Sequence, residues 1–157
     1  MKKTVVITGA SSGIGKETAL YFQKKGWNVA ATMRSPEKEK DFDGFGNVKL
    51  YKLDVTNENQ IQDAIAKIEK DFGSIDVLVN NAGFGALGIF EAASIGEIRK
   101  QFEVNVFGLM RVTQEGLPGM RKAGAGTVVN VSSIGGRVTF PLYSVYHATK
   151  WAVDGFS

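Results

Sequence analysis

The chain has 157 residues, 43% hydrophobic and 22% charged, enough to bury the core of a single domain. Its 19 basic and 16 acidic residues leave a net charge of +3 with no long run of one sign, which argues against a nucleic-acid-binding face. The absence of cysteine excludes disulfides and thiolate metal centres, and one histidine cannot anchor a zinc site by itself.

Residues 1–10, MKKTVVITGA, place two lysines before an apolar run, as a secretory leader does. The run breaks at Gly9, too early for a leader core or a bilayer span, so no membrane association is expected and the protein reads as cytoplasmic. The same letters make a better strand, Thr4–Thr8, β-branched and covered on both faces. A helix over 14–25 comes next and stops at Gly26. Asn28–Met33 reads as a second strand and the alternating stretch 48–53 as a third. Ile61, Ala64, Ile65, Ile68 and Phe72 form one apolar face of the next helix, which Gly73 closes. A fourth strand is expected over 76–80. Ser94 and Glu97 then fit a capping box that opens another helix. That helix is expected to weaken or kink around 116–119, where Pro118 lies. The stretch 127–132 reads as a fifth strand, and the last helix starts at Ser144.

Strands alternating with helices imply right-handed crossovers and a parallel sheet layered between helices. The expected fold is α/β, a doubly wound (Rossmann-type) sheet in one domain over 1–157, with ligands bound beyond the carboxyl ends of the strands.

Every sequence motif falls at such an end. TGASSGIG joins the first strand to the first helix, with Gly9 for a tight turn, Gly13 for close approach of a pyrophosphate and Gly15 for helix–strand packing. A glycine inside a helix costs about 1 kcal/mol against alanine, so Gly15 calls for a packing reason. At the end of the second strand, where an acidic residue would bond both ribose hydroxyls of NAD, stand Met33 and Arg34. A guanidinium suits a 2′-phosphate, so NADP is favoured over NAD. Asp54 either accepts from an adenine amino group or helps to start the following helix. Asn80 and Asn81 either line a cofactor or hold neighbouring backbone. Asn105 lies on the apolar face shared by Ile98, Phe102 and Leu109, where an amide needs partners, in the core or in a polar network reaching a site. Ser133 ends the fifth strand. Tyr146 and Lys150, four apart, share a helical face, a spacing that carries little weight alone.

Together TGASSGIG, LDVT, NNAG, NVSS and YHATK, in this order and at compatible spacing, resemble the short-chain dehydrogenase/reductase family over essentially the whole chain. The resemblance implies an NAD(P)-dependent oxidoreductase that moves a hydride between nicotinamide C4 and a carbonyl or secondary-alcohol carbon of a small molecule. By position, Tyr146 would be the acid/base, Ser133 would hold the substrate oxygen, and Lys150 would bind the nicotinamide ribose and lower the tyrosine pKa. Asn105 would support a relay water beside Lys150. Gly9, Ser11, Ser12, Ile14, Asp54, Val55 and Asn81 match cofactor-contacting positions, alongside Tyr146 and Lys150 themselves. A lysine ammonium ~4 Å from the phenol contributes about 4 kcal/mol at an effective dielectric near ~20, roughly three pK units, before desolvation reduces it.

The resemblance further implies a homo-oligomer, dimer or tetramer, built on the helices after the fourth and fifth strands. It also implies a longer chain, so that 1–157 is expected to be an N-terminal portion ending before a further strand and a substrate-closing segment. Trp151, Val153 and Phe156 would then be poorly covered. A non-catalytic dinucleotide-binding protein is the alternative, disfavoured by the intact serine, tyrosine and lysine. His147 is expected to pack or face solvent. DFDGFGN (41–47) is rejected as a calcium loop because Phe45 fills a ligand position and Lys52 replaces the needed glutamate. Phe84, Leu87, Tyr143 and Trp151 either border a substrate pocket or serve ordinary packing, the safer expectation.

Overall fold

Five short hydrophobic runs pair into one parallel sheet in the computed structural model, which describes residues 2–157. The strands are β1 (Thr4–Thr8), β2 (Asn28–Met33), β3 (Val48–Lys52), β4 (Val77–Asn80) and β5 (Thr127–Asn130), in the order β3-β2-β1-β4-β5. The chain runs outward from β1 to β3, then returns to place β4 on the other side of β1. The reversal leaves a crevice at the carboxyl ends of β1 and β4, where open α/β sheets bind ligands.

Alternation along β1 sends Val5 and Ile7 to one face and Val6 to the other, and each face builds its own core. Val5 and Ile7 join Ala19 of α1 (Gly13–Lys24), Val29 and Ala31. Phe42 joins them, and Phe45 packs against that core. The 41–47 stretch therefore contributes aromatic packing. On the opposite face Val6 meets Ile61, Ala64, Ile65 and Ile68 of α2 (Glu58–Phe72), the stripe its periodicity predicts, together with Val112 and Met120 of α4 (Leu109–Ala123). Asn57 caps α2 by accepting the Gln60 N–H at 3.0 Å, and Gly73, with φ of 86°, closes it.

Strand ends are set by their neighbours. β3 and β5 are each shorter than their apolar letters suggest because Lys52 and Asn130 are the last residues with strand partners, Met33 and Asn80. The Ser94 capping box is present. Ser94 Oγ accepts the Glu97 N–H at 3.2 Å, Glu97 Oε2 accepts the Ser94 N–H at 2.9 Å, and α3 (Ile95–Phe102) begins there. Helix α4 continues through Pro118 to Ala123. The departure from α geometry lies upstream, in a π-helical segment, Glu103–Gly108, that joins α3 to α4 and contains Asn105. Helix α5 (Ser144–Phe156) packs on that segment and on α3. No helix among the described residues is long and apolar enough to cross a membrane.

Candidate functional site

A cleft of about 950 Å³ runs across the carboxyl ends of the strands. Met33 and Arg34 line it after β2, 53–56 after β3, Gly9, Ser11, Ser12 and Ile14 after β1, 81–85 after β4, and 131–133 after β5. Tyr143, Tyr146 and Lys150 of the last helix and its approach complete one end. The cleft thus contains eleven of the positions singled out from sequence, Gly9, Ser11, Ser12, Ile14, Arg34, Asp54, Val55, Asn81, Ser133, Tyr146 and Lys150. Gly13, Gly15 and Asn105 are not among its lining residues. Phe84, Leu87 and Tyr143 border it, whereas Trp151 stands 53% exposed elsewhere on α5.

The Gly-rich turn is built by close approach. Gly9 has φ of 67°, the left-handed region, and a Cβ there would come within 2.9 Å of Ala82 Cα. A Cβ on Gly15 would lie 2.4 Å from both the Gly9 carbonyl oxygen and Asn81 Nδ2, so the packing role expected of this glycine is real. Asn81 donates from Nδ2 to the carbonyls of Thr8 (2.9 Å) and Gly9 (3.2 Å), joining the ends of β4 and β1 while facing the cleft. Ser12, the residue before α1, makes no side-chain cap, which leaves its hydroxyl and the first-turn N–H groups available to an anion. Asp54 Oδ1 accepts from the Thr56 N–H (2.9 Å) and hydroxyl (2.8 Å), organising the turn into α2, so helix initiation is its visible role. Arg34 is exposed, lines the cleft and forms no ion pair with a described residue.

At the other end, Lys150 is 7% exposed, and its Nζ donates to the Val131 carbonyl at 2.8 Å while lying 5.8 Å from the centre of the Tyr146 ring. Burial holds its pKa below the usual lysine range, opposed by the charge of Asp154. Ser133 Oγ accepts the Gly135 N–H at 3.1 Å, so its own O–H remains free to donate. Asn105 is 2% exposed. Both of its N–H groups are occupied, by Phe84 O (2.8 Å) and Thr149 Oγ1 (3.1 Å), while its Oδ1 accepts the Phe84 N–H (3.0 Å). The buried amide of the apolar face is therefore a clasp between the loop after β4 and α5.

Sequence reasoning missed Thr149 and the Val131 carbonyl. Thr149 is fully buried, accepts from Asn105 and donates to Tyr146 O at 2.7 Å, making it the link between the clasp and the tyrosine's own turn. A hydroxyl between two apolar-facing turns of a helix is the signal that would have found it.

The sequence model described as "short chain dehydrogenase" matches residues 3–157. Among curated proteins, the chain is 40% identical to a 3-ketodihydrosphingosine reductase of Bacteroides thetaiotaomicron over 153 residues, 98% of this chain and 55% of that protein. It is 36% identical to human retinol dehydrogenase 8 over 163 residues, 98% of this chain and 51% of that one. Among solved structures, ElxO with NADP bound superposes with a TM-score of 0.94 at 41% identity, covering all of this chain and 66% of that one. A short-chain dehydrogenase from Streptomyces avermitilis gives 0.92 at 39% identity, covering 99% and 58%. The chain spans about half the length of these curated relatives. With the fold, the Gly-rich turn and a match running from residue 3 to residue 157, the chain belongs to the short-chain dehydrogenase family.

Proposed function

We propose that the chain forms the cofactor cleft and reaction centre of an NADP(H)-dependent oxidoreductase acting on a small carbonyl compound or secondary alcohol. The observation that carries this reading is that Ser133, Tyr146 and Lys150 open into the same cleft as the Gly-rich turn. The residues present fit a dinucleotide phosphate. Among the described residues, the turn and the start of α1 offer unengaged N–H groups, Ser12 a free hydroxyl, and Arg34 a guanidinium without an ion pair, the group that suits a 2′-phosphate. The nicotinamide of such a cofactor would supply or take up the hydride.

The protein's own groups do the rest. Ser133 donates its free O–H to the substrate oxygen and stabilises negative charge as it develops there. Tyr146 passes a proton to that oxygen or removes it. Lys150, fixed by Val131, presents a cation to the phenol and favours the phenolate in the oxidation direction. Asn105 and Thr149 act by position, holding the 82–85 loop and α5 together beside the path of the proton.

The test is the full-length protein with NADPH or NADH and a panel of aldehydes and ketones. Turnover with NADPH preferred is expected, and Tyr146→Phe should lower kcat by about 10²–10⁴-fold. Cofactor binding without turnover across the panel would replace this reading with a non-catalytic dinucleotide-binding protein.

A further inference from the structure

The residue after the tyrosine, expected from the sequence only to pack or face solvent, has two strong bonds. His147 is 4% exposed, its Nδ1 lies 2.8 Å from the Gly135 carbonyl oxygen, and its Nε2 takes the Phe140 N–H at 2.8 Å. A carbonyl oxygen only accepts and a backbone N–H only donates. Nδ1 therefore carries the proton and Nε2 is bare, a neutral ring in a single tautomer. Tyr143, Phe140 and Tyr146 surround the ring with centroids 5.6, 5.8 and 6.3 Å away.

Gly135 is the connection to the reaction centre. Its N–H donates to Ser133 Oγ and its C=O accepts from His147, so the serine and the imidazole grip one residue from its two sides. The approach is close enough to require glycine, since a Cβ there would sit 2.8 Å from Nδ1 and 3.3 Å from the Tyr146 ring. Ser133 begins a single 3₁₀ turn, Ile134–Gly136, just beyond β5, which pairs with β4 alone among the described residues. His147, one residue along α5 from Tyr146, reaches across and bonds both ends of the 135–140 loop.

We propose that His147 is a positioning residue that sets the spacing of Ser133 and Tyr146, holding the turn of one against the helix of the other. The inference rests on the oxidoreductase reading, in which the Ser133 hydroxyl and the Tyr146 phenol meet one substrate oxygen. A misplacement of about 1 Å in such a pair costs up to about 10²-fold in rate.

The test uses the full-length protein and compares His147→Phe, which keeps a ring but removes both bonds, with His147→Gln, which retains a donor and an acceptor. Phe is expected to lower kcat by about 10–100-fold, with NADPH affinity within about twofold of the parent because the Gly-rich turn lies on β1, and Gln to recover part of the loss. In a Ser133→Ala background His147→Phe should add nothing, since the histidine acts through the serine. Losses that multiply in the double variant, or an equal fall in NADPH affinity, would overturn the positioning role. Ser133→Ala turning over normally would instead sink the oxidoreductase assignment of that serine. Amide exchange at Phe140 reads the clamp without any turnover. It should accelerate at least about tenfold in His147→Phe, since the protection lost is that of one hydrogen bond, and unchanged exchange would refute the clamp. Should the Phe variant fail to fold, His147→Ala, which removes the ring and both bonds, supplies the same two readouts.

Discussion

Two strands of this sheet begin with the same three residues and meet opposite fates. Thr4-Val5-Val6 opens β1, every residue of which is buried, whereas Thr127-Val128-Val129 opens β5, where Val129 is 42% exposed. The letters are identical, so the difference comes from position. β1 lies between β2 and β4 with a core on each face, while β5 pairs with β4 alone among the described residues. The segments leaving the two strands differ accordingly. Beyond β1 the backbone itself is packed, with Gly9 and Gly15 pressed against the end of β4. Beyond β5 the chain is held by side chains reaching from α5, Lys150 to Val131 and His147 to Gly135. Damage near β1 should therefore fall first on stability and cofactor binding, and damage near β5 on turnover.

The largest effect that would break this contrast is at Gly15. Gly15→Ala should cost about 3 kcal/mol or more, the upper range of overpacking, because its methyl has nowhere to go. Urea unfolding and NADPH fluorescence titration should fall together, and a variant with normal stability would contradict the packing role. Next come matched truncations of the two strands. Val6→Ala should cost about 2–3 kcal/mol in this chain, and Val129→Ala less than about 0.5 kcal/mol. Equal costs by urea unfolding would erase the distinction between the two strands. Arg34→Asp should then move the ratio of NADPH to NADH affinity by about tenfold, near 1.4 kcal/mol, without changing the melting temperature.

The smallest effect sharpens the comparison at the opposite edge. Tyr51 of β3 donates to Asp71 Oδ2 at 2.8 Å, and this bond, followed by Lys49, holds the Asp71 carboxyl below its usual range. A depressed carboxylate stabilises the fold above its unfolded value, near pH ~3.9, and that contribution disappears as pH falls through the lower folded value. Burial and then Asp71 raise the Tyr51 phenol, so its contribution is present below pH ~10 and is lost as pH rises beyond it. Tyr51→Phe should flatten both limbs of a stability-against-pH profile.

Local chemistry makes much of this molecule legible in its sequence. The α2 stripe, the Ser94 capping box and the run of motifs at strand ends each depend on residues close in sequence, and each is present. The π-helical segment around Asn105 was not legible, because it is tied to Phe84, 21 residues upstream, and to Thr149, 44 residues downstream. His147 escaped for a related reason. A helical wheel places it about 100° from Tyr146, but only the 135–140 loop folded back over α5 gives its two nitrogens partners. Pattern reports which face a residue occupies, and tertiary closure decides whether that face contains a bond.

The placement of β1 between β2 and β4 also has a consequence for synthesis. The first strand has β2 within reach early, yet its other edge pairs only with residues 77–79, about 70 positions later. At about 5–20 residues per second, roughly 3–14 s separate the emergence of the two strands from the ribosome. Through that interval the most hydrophobic strand of the sheet presents an open backbone edge, a template for pairing with other chains. Lys2 and Lys3, immediately before it, place two like charges at the end of that edge and disfavour such pairing until β4 arrives.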